Sequence, residues 1–324
     1  MGSTRLLSLG FNVDKKKRRL LIFSSLFAMA FYALSVAFSD HEQITAQLKS
    51  FTVLQLCLIF GLSLLNYAIR FIRWHGYLNV LGHHIPIASN LMYYLAGCAF
   101  TTTPGKAGEA IRSVYLKQHD VGYKHSLAML VTERILDIFA MLILAGLLIY
   151  LLEDFSWGFY LIAFLTAGLL FLLSTDQVMA KIRSWLSQRL QLSEKTLVGH
   201  FLALVHQSLD LMKRRLLLGA LVMGVFAWGA EGVAFYYILE FLGADISLSI
   251  AIGIYAASMI AGAISFIPGG LGSAEAAMGG LLVLAGVPLP AAIAATLVCR
   301  IATLWVAVVI GIISMLIVER KYQL

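Results

Sequence analysis

Charge is what this sequence has least of. Asp, Glu, Lys and Arg make up 13% of its 324 residues, about half the share usual in soluble domains. Apolar residues make up 60%, and the mean hydropathy is +0.87. That balance leaves no room for a soluble catalytic domain and points to a chain that lies almost wholly in a membrane. Cysteine is also scarce. Cys57, Cys98 and Cys299 stand apart in apolar surroundings, without the paired spacing of a disulfide framework or a zinc site. The eight histidines form no HExxH or other ligand spacing, no Walker loop is present, and Ser273 has no nucleophile signature around it. Metal, direct ATP use and enzyme chemistry are therefore not expected, and no cofactor is. The net charge of +7 is read as loop topology and contact with anionic lipid headgroups, with nucleic acid excluded as a partner.

Long hydrophobic runs are abundant. Six stretches can supply the ~20 apolar residues that cross ~30 Å of hydrocarbon, near 20–38, 51–72, 127–152, 156–174, 216–240 and 289–317. No small-residue cleavage site follows the first, which is expected to remain as an anchor. Lys15 to Arg19 precede it, so the positive-inside rule puts the N-terminus in the cytoplasm. Segment 86–118 keeps its basic residues inside only if it enters from the cytoplasm, turns at Pro104-Gly105, and returns to the same side. Segment 246–287 then dips in from the outside and turns at Pro268-Gly269-Gly270. Its exit over 274–287 is ~21 Å of helix, too short to cross.

The predicted fold is an all-α polytopic membrane protein with six full transmembrane helices and two re-entrant hairpins, arranged as two inverted-topology repeats. Residues 1–50 form a basic cytoplasmic N-terminus and first anchor, and 51–152 the first repeat, with hairpin 86–118. Residues 153–215 form a connecting span and a cytoplasmic amphipathic segment lying along the membrane or solvated as a linker. Residues 216–317 form the second repeat, with hairpin 246–287, and 318–324 a cytoplasmic tail. The host membrane expected is the bacterial cytoplasmic (inner) membrane.

The repeat is legible in detail. Each half carries Leu-Gly (Leu81-Gly82, Leu242-Gly243), then Pro-Gly, then a Glu, then an Arg on a long apolar helix. Glu109 to Arg134 is 25 residues, and so is Glu275 to Arg300. An internally repeated membrane protein whose helices are broken at Pro-Gly is built like a transporter.

Ionisable groups at membrane depth are costly unless paired or hydrated. Arg134 and Arg300 are expected to face a shared axis, where a guanidinium can grip a phosphate in bidentate fashion. Glu109, Glu275 and Asp137 are placed to pair with them, as structural pins or as partners that open around a substrate. Arg112 and the basic loop are expected to gather anionic lipid from the cytoplasmic leaflet. Arg70 aligns with Glu231 of the second repeat, a charge-reversed match; Glu231 is read as an arginine's partner or as a carrier of a coupling proton. Gly105, Gly108, Gly269, Gly270 and Gly272 at the tips suit positive φ and bare amides that hold anions, or else close helix packing.

The strings RFIRWHGYLNVLG, TTTPGKAGEAIRSVYLK, LVTERILDIF, IPGGLGSAEA and ATLVCRIATLW together resemble the lysylphosphatidylglycerol synthase transmembrane-region family of flippase-like proteins, over about 50–317. The resemblance implies movement of lipid between leaflets, as in the membrane part of the multiple peptide resistance factor. The soluble synthase domain of that protein has no counterpart in this sequence, so its aminoacylation is not implied. The substrate expected is an anionic phospholipid or a polyprenyl-phosphate-linked headgroup. A small soluble anion is the alternative cargo. A homo-oligomer, or a lipid-modifying enzyme as partner, is compatible with the sequence.

Overall fold

A computed structural model describes residues 51–151, 175–193 and 214–322, with a few single positions between. The expected span at 20–38, and that at 156–174 apart from single positions, lie outside the described residues. Within them the chain is helical, without strands. Helices α1 (Val53–Val80), α2 (Ile87–Cys98), α3 (Ile111–Leu116) and α4 (Tyr123–Ala145) are followed by α5 (Asp176–Ser193). Then come α6 (Arg214–Phe241), α7 (Leu248–Ile264), α8 (Ser273–Leu284), α9 (Leu289–Arg300) and α10 (Val306–Tyr322). Short 3-10 turns at Pro104–Ala110 and Pro268–Gly270 join α2 to α3 and α7 to α8.

Among the described residues, three helical stretches are long and apolar enough to cross a membrane: Val53–Val80, Arg215–Phe241 and Leu289–Lys321. Helix α4 is 23 residues long, but Glu133, Arg134 and Asp137 interrupt its apolar run. Helices α2 and α8 have 12 residues each, roughly 18 Å of rise, and stop well short of a bilayer's width.

Local chemistry sets the helix ends. Thr52 and Gln55 form a reciprocal capping box at the start of α1, and the Ser247 hydroxyl accepts from the Ile250 amide at the start of α7. The two Leu-Gly pairs end α1 and α6 in the same way. Gly82 and Gly243 take φ of 80° and 75°. Beyond them, the amides of His83 and Ala244 reach back to Leu78 O (2.9 Å) and Leu239 O (3.0 Å), the six-to-one bond of a Schellman cap.

Packing is reciprocal between the halves. Helix α1 lies against α6, α2 against α10, and α7 against α4, so each half's hairpin arm packs on the other half's closing helix. At α10, a Cβ on Gly311 would overlap the backbone at Cys98-Ala99, so only glycine permits this approach to α2. The connecting stretch is described chiefly over α5, at 175–193. Leu186, Leu209 and Leu211 are buried in the core, and most of the expected amphipathic segment after 193 lies outside the described residues.

Candidate functional site

Where the hairpin tips meet, α1, α4, α6, α7 and α9 enclose a cavity of about 290 Å³. Arg70, Lys106, Arg134 and Arg300 line it, with Asp137, Glu231, Tyr67, Trp228 and Tyr255. Three elements of the first half (α1, the 3-10 tip and α4) and one of the second (α9) deliver the four cations. The 3-10 tips touch, Gly269 lying against Thr102.

The first-half wall is an ion network. On α4, Glu133 and Asp137 are one turn apart and so share a face, which meets Arg70 and Arg73 of α1. Asp137 Oδ1 is 2.6 Å from Arg73 Nη2, and its Oδ2 is 3.4 Å from Arg70 Nη2. Glu133 is the hub. Its Oε1 is 3.4 Å from Arg70 and 3.5 Å from Arg73; its Oε2 is 3.2 Å from Arg112 and 3.3 Å from Arg134. Glu109 holds Arg112 at 2.8 Å and Arg134 at 3.4 Å. Arg134 also lies 3.7 Å from Asp137. Four arginines thus face three carboxylates, all buried except the Arg134 side chain at 22% exposure. Removing one partner from a buried network costs about 3–5 kcal/mol, because the other charges lose their compensation.

Lys106 adds a fifth cation. No carboxylate of the described residues lies within 4.0 Å of its Nζ, which sits 5.3 Å from the centre of the Trp228 ring. Arg70 approaches the same indole at 5.2 Å. This wall therefore carries more positive charge than negative and faces the cavity.

The second half is simpler. Arg300 Nε donates to Glu275 Oε1 at 2.7 Å, and Nη2 donates to the Gly269 carbonyl at 2.6 Å, tying α9 to the tip. Arg300 closes α9 just before a π turn, Ile301–Trp305. Ser63 and Tyr67 of α1 donate to the Ala302 and Thr303 carbonyls in that turn (2.8 and 2.7 Å), which fixes its distortion and the exit direction of Arg300.

Some expected roles do not fit. Arg112 is 1% exposed, stacked on Tyr94 and Trp74, and cannot collect lipid at a surface. Three of the tip-glycine amides expected to be bare for an anion are instead bonded within the tips. Gly108 N donates to Thr103 Oγ1, Gly270 N to Ile267 O, and Gly272 N to Glu275 Oε2. Pro104 and Gly105 lie in the first 3-10 turn, whose left-handed residue is Lys106 (φ 56°) and neither glycine. In the second tip Pro268 opens the turn, and Gly269, Gly270 and Gly272 do take positive φ. Gly270 also abuts the Gly262 backbone. Glu231 has no arginine or lysine nitrogen within 4.0 Å among the described residues; its hydrogen bond comes from the Tyr255 hydroxyl.

Glu133, Arg73, Lys106, Trp228 and Tyr255 were not singled out by sequence. For Glu133 the signal was present, since it adjoins Arg134 in an otherwise apolar run. Successive helical residues point about 100° apart, however, so adjacency did not reveal that both reach one cluster.

Comparison with known proteins gives a consistent answer. A family model described as "Lysylphosphatidylglycerol synthase TM region" matches residues 21–311. A UPF0104 membrane protein of Pyrococcus horikoshii is 25% identical over 286 residues, covering 80% of this chain and 84% of its own. A UPF0104 membrane protein of Methanothermobacter thermautotrophicus is 34% identical over 92 residues, 28% of each chain.

Proposed function

This chain belongs to the lysylphosphatidylglycerol synthase transmembrane-region family, and on that premise we propose that it is a lipid translocase that moves a phosphate-headgroup lipid between leaflets. The observation that carries this reading is the convergence of Arg70, Lys106, Arg134 and Arg300 on one cavity from both halves. A phosphate entering there meets planar guanidinium donors and an amine with no carboxylate close by.

The rim favours a lipid over a soluble anion. Ile138, Phe266 and Ile267 line the cavity yet are 46%, 74% and 43% exposed. Apolar exposure on a membrane protein faces acyl chains, so the headgroup is held in the polar cavity while its tails stay in the bilayer. In this reading the chain has six spans and two re-entrant hairpins in inverted repeats, with both termini in the cytoplasm of a cytoplasmic membrane. Short α2 and α8, each joined to its neighbour through a short 3-10 turn that borders the cavity, are what such hairpins require. The Glu109 and Glu275 pairs hold Arg134 and Arg300 while the cavity is empty and loosen as phosphate competes, and the tips open alternately to each side. The protein's role is transport and not catalysis.

Leaflet accessibility of fluorescent lipids in reconstituted vesicles tests this. The panel includes anionic, zwitterionic, aminoacylated and polyprenyl-phosphate lipids, with uptake of a soluble phosphate ester alongside. Protein-dependent flipping of phosphate-bearing anionic lipids is expected. Uptake of the soluble ester without any flipping would assign the cavity to a soluble anion.

A further inference from the structure

Glu231 lies two-thirds of the way along α6, 2% exposed, with one hydrogen-bond partner, the Tyr255 hydroxyl of α7. It differs from Glu109, Glu133, Asp137 and Glu275, each of which sits within 4.0 Å of at least one guanidinium. A desolvated carboxylate without a close cation is an expensive ion, and a proton relieves that cost.

The surroundings of Glu231 are mixed in charge. From α1 come Tyr67 and Arg70, from the first tip Lys106, and from α4 Asp137. Tyr255 comes from α7, and Cys299 and Arg300 from α9. Trp228 is one helical turn before Glu231 on α6, and its ring carries both Arg70 and Lys106. The carboxylate and an incoming phosphate would therefore draw on the same two cations from the same cavity.

We propose that Glu231 is a proton-binding site linked to the lipid site, so that a phosphate headgroup and a proton occupy the cavity together. The inference rests on the translocation reading. With the cavity empty, the Glu231 carboxylate is the diffuse counter-ion of Arg70 and Lys106. A phosphate takes over those cations, and Glu231 is neutralised by a proton from the aqueous phase. Linkage is reciprocal, so a proton already bound strengthens phosphate binding by the same factor. A monoanionic lipid and one proton cross as a neutral pair, which lets a pH gradient drive lipid toward the alkaline side. Tyr255 is a positioning residue, donating to the carboxyl oxygen that does not carry the proton.

Two measurements test this on the full chain. The first follows the infrared carbonyl stretch of protonated carboxyl groups against pH, with and without short-chain phosphatidylglycerol, in wild type and Glu231→Gln. A band absent from the variant, with its titration moved to higher pH by the lipid, is expected. Tyr255→Phe should shift the frequency of that band, which keeps the test available if Glu231→Gln does not fold. The second imposes a gradient of one pH unit on vesicles carrying fluorescent phosphatidylglycerol. Wild type should enrich lipid in the alkaline-side leaflet up to about tenfold, the limit for one proton per lipid, and Glu231→Gln should show no enrichment. Flipping by wild type that ignores the gradient would overturn the proton linkage and leave translocation standing. No flipping by wild type would overturn translocation itself. The infrared band then decides the site: a lipid-shifted titration supports a phosphate-linked proton, and a silent Glu231 refutes it.

Discussion

Arg300 holds Glu275 at 2.7 Å with one nitrogen and the carbonyl of Gly269 at 2.6 Å with another. One guanidinium thus joins a closing helix, the returning arm of a hairpin and the hairpin's tip. Replacing Arg300 with alanine removes all of this. We expect Arg300→Ala to lose about 3–5 kcal/mol of stability, read as a lower melting temperature in detergent, and to abolish flipping. Arg300→Lys should restore part of the stability and little of the flipping, because an ammonium cannot reproduce the planar two-way grip.

Glu133 should matter more to the fold than Glu275. It serves four guanidinium groups, whereas Glu275 serves one. Glu133→Gln is expected to destabilise by at least about 3 kcal/mol, and Glu275→Gln by less. Parallel thermal melts of the two variants check the order.

Lys106 is predicted to behave in the opposite way. It stands over Trp228 with no carboxylate close enough to be orphaned. Lys106→Gln should leave the melting temperature near that of wild type while slowing flipping of anionic lipid more than of zwitterionic lipid. The ratio of the two rates is the measurement.

Gly270 takes φ 64° and its Cα-side space is filled by the Gly262 backbone. Alanine there meets both strain and overlap, at a cost of about 1–3 kcal/mol. Gly280→Ala, in open space on α8, is the control and should melt at or above the wild-type temperature.

A pH effect is expected outside the membrane-spanning segments. His83 Nε2 and His125 Nδ1 are 2.9 Å apart, joining the α1–α2 loop to the start of α4. Partial burial, with His125 and His84 beside it, holds the His83 imidazole below its usual pKa. The folded state therefore favours the neutral ring, and the unfolded chain binds more protons. Stability from this contact is present above about pH 6.5 and declines as pH falls below that value. Melting at pH 5.5 should lie below that at pH 7.5, with the difference reduced in His83→Asn.

Much of this was legible in the sequence because it repeats. The matched Leu-Gly pairs, Pro-Gly turns and Glu-to-Arg spacings foretold the helix breaks at Pro104 and Pro268, the short helices beside them, and the pairings of Arg134 with Glu109 and Arg300 with Glu275. Side-chain direction was not legible. Arg112 reads as part of a basic loop, yet the turn after Pro104 aims it inward onto Tyr94, where Gly97 leaves room for it. Lys106 adopts the left-handed conformation expected of its glycine neighbours, and no propensity rule foretells that for lysine. Trp228 and Tyr255 are unremarkable within apolar helices. Only the packing of α6 against α1, and of α7 against α6, brings them to the cavity.

The central claim is that arginines from both halves form one lipid-phosphate site. The most direct measurement is flipping of fluorescent phosphatidylglycerol in vesicles by wild type, Arg134→Gln, Arg300→Gln and the double variant, each first shown to be folded. The account predicts strong loss in either single variant and no further loss in the double, as for two groups acting on one phosphate. Flipping retained at the wild-type rate in the double variant would contradict it.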